Sequence, residues 1–126
     1  MRKKISNEAL RIALTKIENK LLVNGVLPKE YDGYAASLGP AILNSGLLPA
    51  LAFYSDTEKK NRVKLLEVIA KTAGYQVGET GLLRYVLDKS DKNPKELAKL
   101  KREILQATAA VKLAMRNFPH SDSKNN

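Results

Sequence analysis

GYAASLGPAILNSGLLPALAFYS, residues 33–55, is a run of 23 residues without a charged side chain in a chain of net charge +9. No Lys or Arg stands between Lys29 and Lys59, so the positive charge is segregated into the flanking segments. A bilayer-spanning helix needs about 20 apolar residues in a row, and the length is nominally adequate. The content is not, because Pro40, Gly46 and Pro49 interrupt the run and Asn44 and Ser45 would sit near mid-membrane. An interior proline removes a helical hydrogen bond and clashes with the preceding turn, at a cost of about 3 kcal/mol. The run therefore reads as a bent pair of core helices, with basic helices packed around it.

Helical periodicity extends through the rest of the chain, and no β-type alternation reaches a useful length. A first helix is expected from Ser6 to Val23, with Leu10, Leu14, Ile17 and Leu21 as one stripe closed by Asn24-Gly25. A second begins near Lys29 to Tyr31 and ends about Asn44, bent or restarted at Pro40. A third covers about Leu47 to Tyr54, with Pro49 tolerated in its first turn. The fourth starts in the basic run Lys59, Lys60, Arg62, Lys64 and ends at Ala73, burying Leu65 or Leu66, Ile69 and Ala73. A fifth, about Thr80 to Asp88, is expected to bury Leu83, Val86 and Leu87. Asn93-Pro94 marks the start of the last helix, as N-cap and first helical residue. Leu97, Leu100, Ile104, Ala107, Val111, Ala114 and Phe118 then recur by threes and fours. The expected fold is all-α: a compact single-domain bundle of five to six helices over residues 1–118. Residues 119–126 read as a mobile C-terminal tail.

The run also carries a family resemblance. Leu38, Pro40, Ile42, Asn44, Gly46 and Leu47, followed by Leu51, Ala52 and Phe53, resemble the signature of the small α-helical subunit of type III-B CRISPR effector complexes, the Cmr complexes. Tyr31 and Tyr34 resemble aromatic positions upstream of that signature. The last helix departs from the family pattern, offering Val111, Lys112 and Leu113 where a Trp-containing basic patch is common. The motif residues Tyr31, Leu38, Pro40, Ile42, Gly46, Leu47, Leu51 and Phe53 are structural, so they speak for membership rather than for a contact. The resemblance implies a non-catalytic subunit that stacks as a filament and supports a guide RNA–target RNA duplex in antiviral defence. Its implied partners are other Cmr-type subunits, further copies of itself, guide RNA and target RNA.

Composition is consistent with that reading. Lys and Arg number 22 against 13 acidic residues, a surplus that favours polyanions through counterion release without specifying sequence. A merely solvated, lysine-rich surface is the alternative. The absence of cysteine excludes disulfides and thiolate metal sites and suits a reducing cytoplasm. No apolar stretch of signal-peptide type follows the basic start MRKKISNEAL.

Enzymatic constellations are poor. His120 is the only histidine and lies in the presumed tail, where no general base could be positioned. No metal site, catalytic residue or cofactor is expected. The glycines of GYQVGETGLL lack the Lys-Ser/Thr pair of a phosphate-binding loop. Asp88, Asp91, Glu96 and Glu103 read as surface ion-pair partners. The RNA-binding candidates are basic rows at helical spacing: Lys60, Lys64 and Lys71 on the fourth helix, and Lys101, Lys112 and Arg116 on the last. Arg84 on the fifth helix joins them, and Lys4 and Arg11 form a similar pair on the first. Such rows fit phosphate contacts rather than base readout. The five Tyr and two Phe suggest no stacking platform for single strands, and Tyr75 is the aromatic whose exposure would matter. Leu47, Leu48, Leu51 and Phe53 could be core or a partner patch. A free-standing basic helical DNA-binding regulator and a helical adaptor are the competing classes.

Overall fold

The computed structural model describes residues 5–78 and 81–121. Six helices follow in order: α1 (Asn7–Lys20), α2 (Glu30–Ser45), α3 (Leu47–Tyr54), α4 (Lys60–Thr72), α5 (Gly81–Lys92) and α6 (Glu96–Met115). The fold is all-α, and the β pairing among the described residues is limited to the isolated bridges Val23–Val26 and Leu27–His120.

Local chemistry explains most of the helix ends. Ser6 caps α1, its hydroxyl accepting from the Ala9 amide at 3.0 Å. Beyond α1, Asn24 (φ 55°) and Gly25 (φ 78°) are both left-handed, and Val23 and Val26 bond reciprocally across them. That is the backbone pattern of a tight type I′ turn. Gly46 (φ 98°) both ends α2 and opens α3. Asn93 accepts from the Lys95 amide at 3.1 Å, but α6 proper begins at Glu96, later than the Asn93-Pro94 pair suggests. The carbonyls of Asn93 and Pro94 accept from Glu96 and Leu97, so the entrance is a tight i→i+3 turn.

Pro40 neither breaks nor restarts its helix, because α2 runs through it to Ser45. Gly39, lacking a Cβ, relieves the clash a proline imposes on the residue before it. Pro40 and Ala36 are both exposed, so the carbonyl that loses its helical partner can turn to water.

α4 and α6 hold the centre, each packing against α1, α2 and α5. The core takes Ala13, Ile17 and Leu21 from α1 and its end, and Tyr31, Ala35, Leu38 and Ile42 from α2. Leu65, Leu66, Val68 and Ile69 come from α4, and Leu100, Ile104, Ala107, Val111 and Ala114 from α6. Two buried hydroxyls are satisfied in place: Thr72 donates to Val68 and Thr108 to Ile104, both at 2.8 Å.

Three burial expectations need correcting. On α1, Leu10 and Leu14 are half-buried and Ala13 takes the central place. On α4, Ala73 is half-buried and follows the helix. On α5, Leu82 and Val86 are buried while Leu83 and Leu87 are half-buried. The start expected at Thr80 lies outside the described residues.

The uncharged run is not buried throughout either. Leu43 is 64% and Phe53 62% exposed. Nor is the segment from residue 119 a free tail as far as it is described. The Leu27 amide donates to the Pro119 carbonyl at 2.8 Å, and the Ser121 amide to Leu27 at 2.9 Å. The anchor is backbone pairing and a histidine, not the apolar side chain that a docked tail would advertise. Residues 122–126 lie outside the described residues. No helix among the described residues is long and apolar enough to cross a membrane.

Candidate nucleic-acid interface

The α4 row is geometrically coherent. Spacings of four and seven residues put Lys60, Lys64 and Lys71 within about 40° of one another around the axis, and all three are exposed. Lys112 on α6, Arg116 at its C-terminal cap and Arg84 on α5 are exposed, whereas Lys101 is half-buried. Lys4 lies outside the described residues, and Arg11 pairs with Glu8 at 3.1 Å.

These cations do not line one continuous channel in a single copy. Lys60 borders a groove of about 260 Å³ with Glu30, Tyr34, Glu58, Lys59 and Asn61. Lys71 lines a larger cleft of about 480 Å³, together with Lys20, Glu67, Leu66, Val77 and Leu82. Lys112 and Arg116 flank Asp32 and Met115. Among the described residues, none of the seven candidate cations forms an ion pair; the pairs are Arg11–Glu8 and His120–Asp32. The carboxylates expected to serve as ion-pair partners, Asp88, Asp91, Glu96 and Glu103, are in neither of them. Glu103 instead accepts from the Tyr75 hydroxyl at 2.7 Å.

Tyr75 is buried rather than exposed, stacked on Tyr85 with ring centroids 4.7 Å apart. Burial, reinforced by the Glu103 bond, raises its phenol far above the usual range. Tyr31 is likewise buried, and desolvation raises its phenol, with Glu30 adding to the shift. Of the other motif residues, Leu38, Ile42, Leu47 and Leu51 are buried; Pro40 and Phe53 are exposed.

The structure assembles one cluster that the sequence does not announce. The Arg62 guanidinium lies over Phe53 at 4.5 Å, over Tyr34 at 5.3 Å and over Tyr54 at 5.7 Å. Tyr54 is held by its hydroxyl, which donates to the Tyr34 carbonyl at 2.8 Å. The Arg62 Nε is buried and has no hydrogen-bond partner among the described residues. Beside it, Asn61 bonds the Glu30 carboxylate and so ties α4 to α2. The three rings and the guanidinium come from three different helices, so no local spacing could have signalled them. Only the basic run containing Arg62 was visible.

His120, placed by the sequence in a mobile tail, is fixed on both nitrogens. Nδ1 lies 2.7 Å from Asp32 Oδ2 and Nε2 lies 2.9 Å from the Met115 carbonyl. Its pKa is raised, chiefly by the Met115 bond and further by Asp32, against a partial desolvation. No group of three or more His, Asp or Glu that could hold a metal ion occurs among the described residues.

Comparison with curated proteins and with solved structures returns no match. A family model described as CRISPR-associated protein (Cas_Cmr5) matches residues 5–116.

Proposed function

The chain belongs to this CRISPR-associated Cas_Cmr5 family, a Cmr-type subunit, and on that premise we propose that it is a non-catalytic structural component of a type III-B RNA-guided effector. Copies stack head to tail in the cytoplasm, beside larger subunits that hold the guide RNA. Their basic helix faces support the guide–target duplex in antiviral defence, and RNA cleavage belongs to other subunits.

The observation that carries this reading is the α4 row: Lys60, Lys64 and Lys71 are exposed on one helix face and outside any ion pair among the described residues. Unpaired cations on a rigid helix suit phosphates, which position a polynucleotide without reading its sequence. The placement of Lys60, Lys71 and the Lys112–Arg116 pair at three separate grooves suits a subunit that completes its surface by stacking. The only histidine supports a non-catalytic role, since both its nitrogens are engaged in holding Asp32 and Met115.

The test is charge reversal of Lys60, Lys64 and Lys71 to Glu within the assembled complex. Target RNA affinity, measured at several salt concentrations, should fall. Its salt dependence should flatten by nearly one unit of slope per lost phosphate contact. Unchanged affinity and slope would remove the row from the interface.

A further inference from the structure

The geometry points to a nucleobase platform at Phe53: an unpaired RNA base stacks on the open face of this ring while Arg62 and Lys59–Lys60 hold the adjoining phosphate. This inference rests on the RNA reading proposed above and names a second kind of contact within it.

Phe53 is 62% exposed, although the Arg62 guanidinium lies 4.5 Å from its centroid. One face is thus covered by a cation and the remainder meets water. Leaving a phenyl ring in solvent forgoes apolar burial, which a stacking ligand would recover. Tyr54, with its centroid at 6.1 Å, and the Arg62 guanidinium are the ring's aromatic and cationic neighbours.

The second observation is Arg62 itself. Its Nε–H is buried without an acceptor among the described residues, and a buried unmet donor is costly. A phosphate oxygen at the edge of the aromatic cluster would meet the terminal N–H groups of the guanidinium, which are not among the buried unpartnered atoms, and retain the cation–π contacts. The adjoining groove, lined by Glu30, Tyr34, Glu58, Lys59, Lys60 and Asn61, sets two lysines within reach of a phosphate at that point. Of the two carboxylates there, Glu30 is engaged by Asn61 and Glu58 is exposed. Aromatic faces paired with arginine and flanked by lysine are how single-stranded nucleic acid is held without sequence preference.

The test compares Phe53→Leu and Phe53→Trp in the assembled complex, read by affinity for target RNA across a salt series. Leucine keeps apolar bulk but removes the π-face, and the site is exposed enough that folding is spared. Phe53→Leu should weaken binding roughly tenfold with the salt slope and subunit content unchanged, and Phe53→Trp should retain full affinity. Equal affinity for Phe53→Leu and the native complex would overturn the platform, as would equal losses for both variants. Loss of the subunit from the Phe53→Leu complex would also overturn it, marking the patch as a protein contact. The lysine row is separable: if its reversal flattens the slope while Phe53→Leu does nothing, the platform alone fails. If Phe53→Leu costs tenfold while reversal of Lys64 and Lys71 alone leaves the slope intact, the platform stands and the α4 phosphate row does not.

Discussion

Each ring nitrogen of His120 faces an acceptor, the Asp32 carboxylate on one side and the Met115 carbonyl on the other. Neutral imidazole carries one N–H and can satisfy only one of them; imidazolium satisfies both. The folded-state pKa is accordingly raised above the unfolded 6.5. A raised histidine stabilises fully below the unfolded value, and the contribution fades as pH climbs through the folded one. Since Pro119 and Ser121 pair with Leu27, what titrates is the grip of the C-terminal segment on the start of α2. Unfolding free energies from urea titration of the native chain and His120→Gln should differ by on the order of 1 kcal/mol near pH 5, and by less near pH 9. Asp32→Asn should shrink that pH dependence, because its amide can donate to Nδ1 and so satisfy neutral imidazole on both sides. A difference that is flat with pH would dispose of the latch. None of this was legible in the sequence. A lone histidine after a proline near the C-terminus has no local partner, and its two acceptors lie five and 88 residues away.

α2 and α3 show what sequence can and cannot specify about an element. The boundary between them was readable because Ser45-Gly46 is a stop signal in any context, and Gly46 adopts φ 98° and ψ 157°. That region belongs essentially to glycine. Gly46→Ala should therefore cost about 1–3 kcal/mol. Packing is not the cause, since an added Cβ would meet Pro49 only at an ordinary 3.5 Å. Gly33→Ala, on the same helix and with nothing within 4 Å, should instead stabilise by about 1 kcal/mol through helix propensity. Chemical denaturation of the two variants should place the native chain between them, and a neutral Gly46→Ala would refute the strain argument. Pro40 misled because a proline's effect depends on its neighbours: glycine before it and solvent around it leave the helix intact. On α5, the pairs Leu82-Leu83 and Val86-Leu87 offer two apolar stripes about 100° apart. Periodicity cannot choose between them; the position of the packed neighbours does. The Arg62 cluster lies further beyond reach, since its rings converge only when α2, α3 and α4 are assembled.

The balance of charge governs the molecule as a whole. The net charge is +9, yet only Arg11–Glu8 and His120–Asp32 are ion-paired among the described residues. Both pairs are partly or largely exposed, and exposed pairs contribute about 0–1 kcal/mol each. Attraction within the chain is thus weak, while the exposed cations repel one another and penalise the compact state. Such a surface makes sense if the opposing charge arrives from outside, as the phosphates of a bound polynucleotide would supply it. The hydrophobic core, centred on α4 and α6, carries the fold against that repulsion. Added salt screens surface charges separated by more than about 10 Å, so it should relieve the free chain rather than weaken it. Raising NaCl from about 20 mM to about 300 mM should increase the Tm by a few degrees, equivalent to about 0.5–1 kcal/mol. A chain held together by surface ion pairs would lose stability over the same range. Scanning calorimetry of the isolated protein decides between them, and a falling Tm would mean that its cations are matched internally and not reserved for a partner.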